Sequence, residues 1–170
     1  SCDEFKESNK FRLDFVSGGE PLLNFNLIKS AKMIGDRVFS EHGKSLDIWV
    51  CTNGILLDEK KAKYLNEHNI GIGVSLDGPQ EINDMERNYP DNKSSYADAT
   101  NSITKVINNK AYNRYFRDIW VLTVVTAQTS SLIDILEHHK HLGINNVQMK
   151  IVRSAQDREY ALTIENAKHF

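Results

Sequence analysis

The sequence predicts an α/β protein in which parallel strands alternate with helices, and three observations carry that prediction. Short apolar runs rich in β-branched residues recur five times along 170 residues. Between them, apolar residues fall at the three-and-four spacing of a helix face. Glycine, proline and asparagine punctuate the junctions. A strand, a crossover helix and a second parallel strand form a right-handed unit, and repeating that unit builds a parallel sheet covered by helices. A closed eight-unit barrel takes about 250 residues, so this length predicts either an open doubly wound sheet or a section of a larger barrel.

The first strand is read at Arg12 to Val16. After Gly18 and Gly19, the residues Leu27, Ile28, Ala31, Ile34 and Val38 mark one buried helix face, closed at Gly43 by a left-handed cap. Leu46 to Cys51 is the second strand, ending at the Asn53-Gly54 turn. Asp58 caps a short helix carrying Ala62 and Leu65. Ile70 to Leu76 follows as a third strand, rich in glycine and β-branched residues. A polar connection from Asp77 to Ser94 leads to a helix with Tyr96, Ala99, Ile103, Val106 and Ile107 on one side. Ile119 to Val125 is apolar throughout, as a strand covered on both faces should be. The last unit places Leu132, Ile135, Leu136 and Leu142 on a helix and alternates Val147, Met149 and Ile151 along a strand. Another helix is expected after Arg153.

Composition narrows the class of partner. With 40% hydrophobic and 26% charged residues the chain can bury one core. A net charge of -2 and a pI near 6.3 leave no cationic surface for nucleic acid or an anionic membrane. No apolar run approaches the roughly 18 residues of a membrane span, and the polar first residues are unlike a signal peptide. The expectation is a soluble, unprocessed protein. Its two cysteines, Cys2 and Cys51, are too few for a disulfide framework and fit a reducing cytoplasm.

In either α/β architecture ligands bind beyond the carboxyl ends of the strands, so the loops there are the candidate site. The first is Ser17, Gly18, Gly19, Glu20, Pro21. Two glycines permit positive φ and close approach of a ligand, Pro21 pre-sets a helical first turn, and Glu20 supplies acceptors suited to an ammonium group. The plain alternative is a tight turn that starts a helix. The second loop, Thr52-Asn53-Gly54, is either a turn or a polar side chain lining a pocket. In the third, Ser75 and Asp77 bracket one position at a strand end, where a hydroxyl and a carboxylate can face a ribose diol, and Arg87 can fork onto a carboxylate. Its plain alternative is an Asp-Gly-Pro turn with an Asp84 and Arg87 surface ion pair.

Taken together, LDFVSGGEPLL from Leu13 to Leu23, CTNG from Cys51 to Gly54 and VSLDGPQEINDMER from Val74 to Arg87 resemble the radical S-adenosylmethionine (AdoMet) enzymes. The resemblance is narrowest to the peptide-modifying branch with a cysteine-rich C-terminal extension, which includes the anaerobic sulfatase maturases. It spans nearly the whole chain. It implies a partial TIM-type barrel of six strand-helix units, of which this chain supplies about five, with residues 1–170 an incomplete radical SAM core domain. It further implies that Gly18, Gly19, Glu20 and Pro21 receive the methionyl amino group of AdoMet. Ser75 and Asp77 would lie near its ribose or methionyl part, Asn53 would line the cavity, and Arg87 would meet its carboxylate. Residues around Lys150 and Arg153 would face adenosine or substrate.

The departure from the pattern is equally plain. Family members bind a [4Fe-4S] cluster through a CxxxCxxC loop, and neither that loop nor the cysteine-rich extension occurs in this sequence. The expectation is therefore a fragment of a radical SAM oxidoreductase. Its complete form would modify a peptide or protein by hydrogen-atom abstraction with a 5'-deoxyadenosyl radical, while this polypeptide alone would be inert. No metal ligands and no catalytic acid or base are assigned, and an uncovered strand edge at Leu13 to Ser17 predicts self-association. The rivals are a cluster-free peptide-binding module on the same barrel and an ordinary nucleotide-binding domain. The latter predicts phosphate-loop chemistry at Gly18 and Gly19, and neither a Gly-x-Gly-x-x-Gly nor a Gly-Lys-Ser/Thr follows there.

Several features read as structural. Glu137 to His141 is a solvated helix end favoured by the helix dipole, Cys51 a buried thiol, and Trp49 and Trp120 packing residues that face helices. Tyr112, Tyr115, Phe116 and Arg117 are a hydrophobic lead into the following strand.

Overall fold

The computed structural model describes residues 8–16, 18–108, 119–129, 131–152 and 161–163. Cys2, Ser17, the segment from Tyr112 to Arg117, Arg153 and the helix expected after it lie outside the described residues. Five strands form one sheet: β1 (Lys10–Phe15), β2 (Ser45–Thr52), β3 (Gly71–Ser75), β4 (Trp120–Val125) and β5 (Asn146–Ile151). The helices are α1 (Phe25–Glu41), α2 (Glu59–Glu67), α3 (Gln80–Asn83), α4 (Tyr96–Asn108) and α5 (Leu132–His141). α3 is a single turn inside the polar connection from Asp77 to Ser94, too short to carry an apolar period in the sequence.

Every pairing is parallel and the spatial order is β1-β2-β3-β4-β5. That order decides between the two architectures. A doubly wound sheet begins in its middle and reverses direction at a switch point. Strands laid down in sequence with right-handed crossovers put all helices on one face and curl toward a barrel. The protein is a partial TIM-type barrel.

Local chemistry sets the element ends. Asp58 accepts from the Lys61 amide at 2.8 Å, Asn24 from Leu27 at 3.3 Å and Ser131 from Asp134 at 3.2 Å, satisfying amides at the starts of α2, α1 and α5. The core lies between sheet and helices. Ile48 and Val50 of β2, Ile72 and Val74 of β3 and Val121 of β4 meet Ile28, Ala62, Leu65, Ile103 and Val106 from the helices. Each large aliphatic side chain buried there contributes about 1.5–3 kcal/mol.

Two expectations about packing are corrected. Trp49 and Trp120 do not face helices; they line the opposite, concave side, edge to face with ring centroids 6.1 Å apart. The space for them comes from β3, where Gly71 sits across from Trp49 and Gly73 across from Trp120. A Cβ on Gly71 would lie 2.4 Å from the Trp49 ring. On α1, Ile28 is buried, but Leu27, Ile34 and Val38 are 54%, 48% and 36% exposed. The apolar stripe is wider than the sheet it packs on, since β1 is the edge strand.

Candidate functional site at the strand ends

Glu20 is the latch of the first loop. Gly18 and Gly19 have φ of 76° and 123°, a conformation that admits little but glycine, and beyond their chain neighbours no atom of the described residues stands within 4 Å of where either would carry a Cβ. The chain then turns through Pro21–Asn24 as one turn of 3-10 helix. Glu20 Oε1 accepts from the Leu22 amide at 3.0 Å and from Thr52 Oγ1 at 2.6 Å, and Oε2 accepts from the Asn53 amide at 2.8 Å. One carboxylate therefore ties the end of β1 to the end of β2. Thr52 Oγ1 accepts in turn from the Gly54 amide at 3.1 Å, and Asn53 Oδ1 closes a turn on the Ile55 amide at 3.0 Å. Thr52 shares the parity of the buried Ile48 and Val50 on β2, which is the signal in the sequence that its hydroxyl turns inward.

The third loop is built around Asp77. Its carboxylate accepts from Arg87 Nε at 2.6 Å and Nη2 at 3.1 Å, and from the Val124 amide at 2.8 Å. Asn83 Oδ1 accepts from the Asp77 amide at 3.2 Å, and Ser95 Oγ donates to the Arg87 carbonyl at 2.5 Å. The Arg87 fork thus lies on Asp77 and not on Asp84, its partner in the plain alternative; Asp84 instead accepts from Asn83 Nδ2 at 3.4 Å. Asp77 is 7% exposed while Arg87 keeps 27% of its side chain in solvent. Ser75 Oγ lies 3.6 Å from Cys51 Sγ, and Cys51 is half-buried on the concave face rather than sealed in the core.

Beneath Asp77 lies a buried relay. Thr123 Oγ1 donates to the Leu76 carbonyl at 2.9 Å and lies 2.9 Å from His139 Nε2. The hydroxyl has one proton, already given to Leu76, so His139 Nε2 carries the N–H and donates. Its Nδ1 is left as a buried acceptor with no partner among the described residues. Burial and the neighbouring His138 lower the His139 pKa to about 4. The Glu137 to His141 stretch is thus only partly a solvated face, because His139 turns inward and is fully buried.

Three hollows run along this rim and down the concave face. Asp14, Val16, Gly18, Gly19, Glu20 and Pro21 line one of about 360 Å³. Trp49, Cys51, Gly73, Trp120, Leu122 and Lys150 line a central trough of about 530 Å³. Asp77, Met85, Arg87, Val124 and Thr126 line a third of about 430 Å³. Glu20 and Asn53 are brought into contact, Ser75 meets the trough through Cys51, and Asp77 with Arg87 borders the third hollow.

The sequence model of the Radical SAM superfamily matches residues 2–126. This chain belongs to the radical SAM superfamily. An uncharacterised protein of Methanocaldococcus jannaschii is 30% identical over 165 residues, which is 95% of this chain and 53% of that protein. A cysteine-type anaerobic sulfatase-maturating enzyme of Clostridium novyi is 39% identical over 84 residues, 49% of this chain and 21% of the enzyme. The radical SAM chain therefore spans from about a fifth to about half the length of these relatives. Among solved structures, native anSMEcpe with bound AdoMet and Kp18Cys peptide superposes with a TM-score of 0.77 at 20% identity. The match covers 96% of this chain and 45% of that one, and it establishes the shared fold.

The residues present do not fit the family's iron-sulfur cluster. The sequence holds two cysteines, and no group of three His, Cys, Asp or Glu side chains among the described residues could hold a metal. They do fit the amino-acid end of AdoMet. Glu20 uses three of about four carboxylate lone-pair sites, leaving Oε2 one acceptor position beside the open space over Gly18 and Gly19. No described helix is long and apolar enough to cross a membrane.

Proposed function

We propose that this chain forms the AdoMet-binding part of the catalytic barrel of a radical SAM enzyme that modifies a peptide or protein by hydrogen-atom abstraction in the cytoplasm. AdoMet, when bound, supplies the group that abstracts the hydrogen. The [4Fe-4S] cluster that such chemistry requires has to be held by residues other than those of this sequence, and an isolated 170-residue chain would bind without reacting. The peptide assignment draws on the sulfatase-maturating relatives and on the likeness to the peptide-bound anSMEcpe.

The observation that carries the reading is the Glu20 latch, a carboxylate clamped by Thr52 and Asn53 with one acceptor site left over glycine-lined space. In this reading Gly18, Gly19, Glu20 and Pro21 receive the ammonium group, Asn53 lines the approach, and Ser75 offers a hydroxyl to the ribose. Asp77 acts through Arg87, aiming the exposed edge of its guanidinium at the carboxylate. AdoMet binding measured by equilibrium dialysis tests it. Glu20→Gln should weaken binding about tenfold, the range of a charge-assisted hydrogen bond, and Ser75→Ala only a few-fold. Failure of the wild-type chain to bind AdoMet, or indifference to Glu20→Gln, overturns the assignment. A cluster-free peptide-binding module is favoured by the cysteine content alone and predicts peptide binding without AdoMet binding.

A further inference from the structure

We propose that the concave trough of the half-barrel recognises a peptide segment in which a carboxylate adjoins apolar or aromatic side chains, with Lys150 receiving the carboxylate. The proposal deepens the peptide-modifying reading above and rests on it for the ligand being a peptide. The trough holds about 530 Å³, and the indoles of Trp49 and Trp120 stand edge to face in its lining. Gly73 adds no side chain between them, and Leu122 packs over it, its Cδ1 3.0 Å from where a Cβ would stand, so the floor of the trough is apolar as well. Large aromatic surfaces of this kind bind apolar groups at low cost in side-chain entropy.

Charge decides what accompanies the apolar part. Among the described residues, three charged side chains line the trough: Arg12, Asp14 and Lys150. Arg12 Nε bonds Asp14 at 2.6 Å, and its guanidinium stacks 4.8 Å above the Trp49 ring, so these two charges compensate one another. Beyond its backbone pairing with β4, the Lys150 side chain makes no ion pair or hydrogen bond to any described residue. It has the parity of Gln148 on β5, opposite to Val147, which packs against the core, so it belongs to the concave wall. Among the described residues the trough thus presents one uncompensated positive charge against two indoles. An incoming cation would find only Asp14, already paired; an incoming carboxylate finds Lys150.

Both tryptophans of the chain line this trough, so intrinsic fluorescence reports on it selectively. The probes are three blocked pentapeptides, acetyl-Gly-Leu-X-Phe-Gly-amide with X as Glu, Gln or Lys, titrated into the full 170-residue chain. The Glu peptide should bind about tenfold more tightly than the Gln peptide. That advantage should vanish in Lys150→Gln and survive in Lys150→Arg, and both variants should melt with the wild type because Lys150 is exposed. The proposal is overturned if Glu and Gln peptides bind alike, if the Lys peptide binds best, if Lys150→Gln keeps the preference, or if no peptide changes the fluorescence. AdoMet dialysis on the same preparation separates the two readings. Loss of AdoMet binding with the carboxylate preference intact sinks only the cofactor assignment, and the reverse pattern sinks only the proposal for Lys150.

Discussion

Asp77 and His139 show how single groups set the rim. Asp77 is nearly sealed from water and holds a guanidinium and a backbone amide. Asp77→Asn keeps an acceptor for the Val124 amide and removes the charge that Arg87 needs. Breaking a fully buried pair costs 3–5 kcal/mol, but the quarter-exposed Arg87 can reach water, so urea denaturation should show a loss of about 2 kcal/mol. Arg87→Lys should not restore the wild-type value, because an ammonium cannot make the two-pronged contact. His139 gives stability a pH dependence. Its folded pKa of about 4 lies below the usual 6.5, so it stays neutral in the fold while the unfolded chain takes up a proton as pH falls below about 6.5. Its contribution is present above that pH and is lost progressively toward pH 4, on the order of 3 kcal/mol in all. Denaturation at pH 7 and pH 4.5 should show a smaller loss in His139→Leu than in the wild type; equal losses would refute the assignment. The charge cluster around His139 gave no sign of this, because a helix end with three histidines reads the same whether one of them turns inward or none does.

At the scale of elements, most boundaries were legible, because caps and apolar periods are local. Asp58 at the start of α2 is the clearest case, and Asp58→Ala should cost about 1 kcal/mol by thermal unfolding through loss of the bond to the Lys61 amide. The direction in which strand residues face was harder. On β2 the tryptophan at position 49 looked like core, yet strict alternation with Ile48 and Val50 sends it to the concave side. Gly71 makes that placement possible. Gly71→Ala drives a methyl into the Trp49 ring, and a cost of about 1–3 kcal/mol is expected, accompanied by a shifted tryptophan emission maximum. An unchanged spectrum would mean that the indole does not cross β3.

For the whole molecule, the open sheet has consequences at both borders. Among the described residues β1 and β5 are the edge strands, and large apolar side chains lie exposed near each: Leu13, Leu27 and Ile34 toward one border, Ile133, Leu136 and Ile151 toward the other. Unpaired strand edges flanked by apolar surface favour pairing with another chain. Sedimentation velocity across the micromolar range should show a mass that rises with concentration, and a constant monomer mass would contradict this. Strand-helix alternation and the family resemblance were readable from residue order, since propensity, capping and period depend on near neighbours. The choice of a barrel section over a doubly wound sheet came from the order of strands in space. The partners of Glu20, Arg87 and His139, and the concave setting of both tryptophans, also appeared only in the folded chain. Each of these depends on groups far apart in sequence that meet after the strands have paired, and local pattern holds no record of such distances.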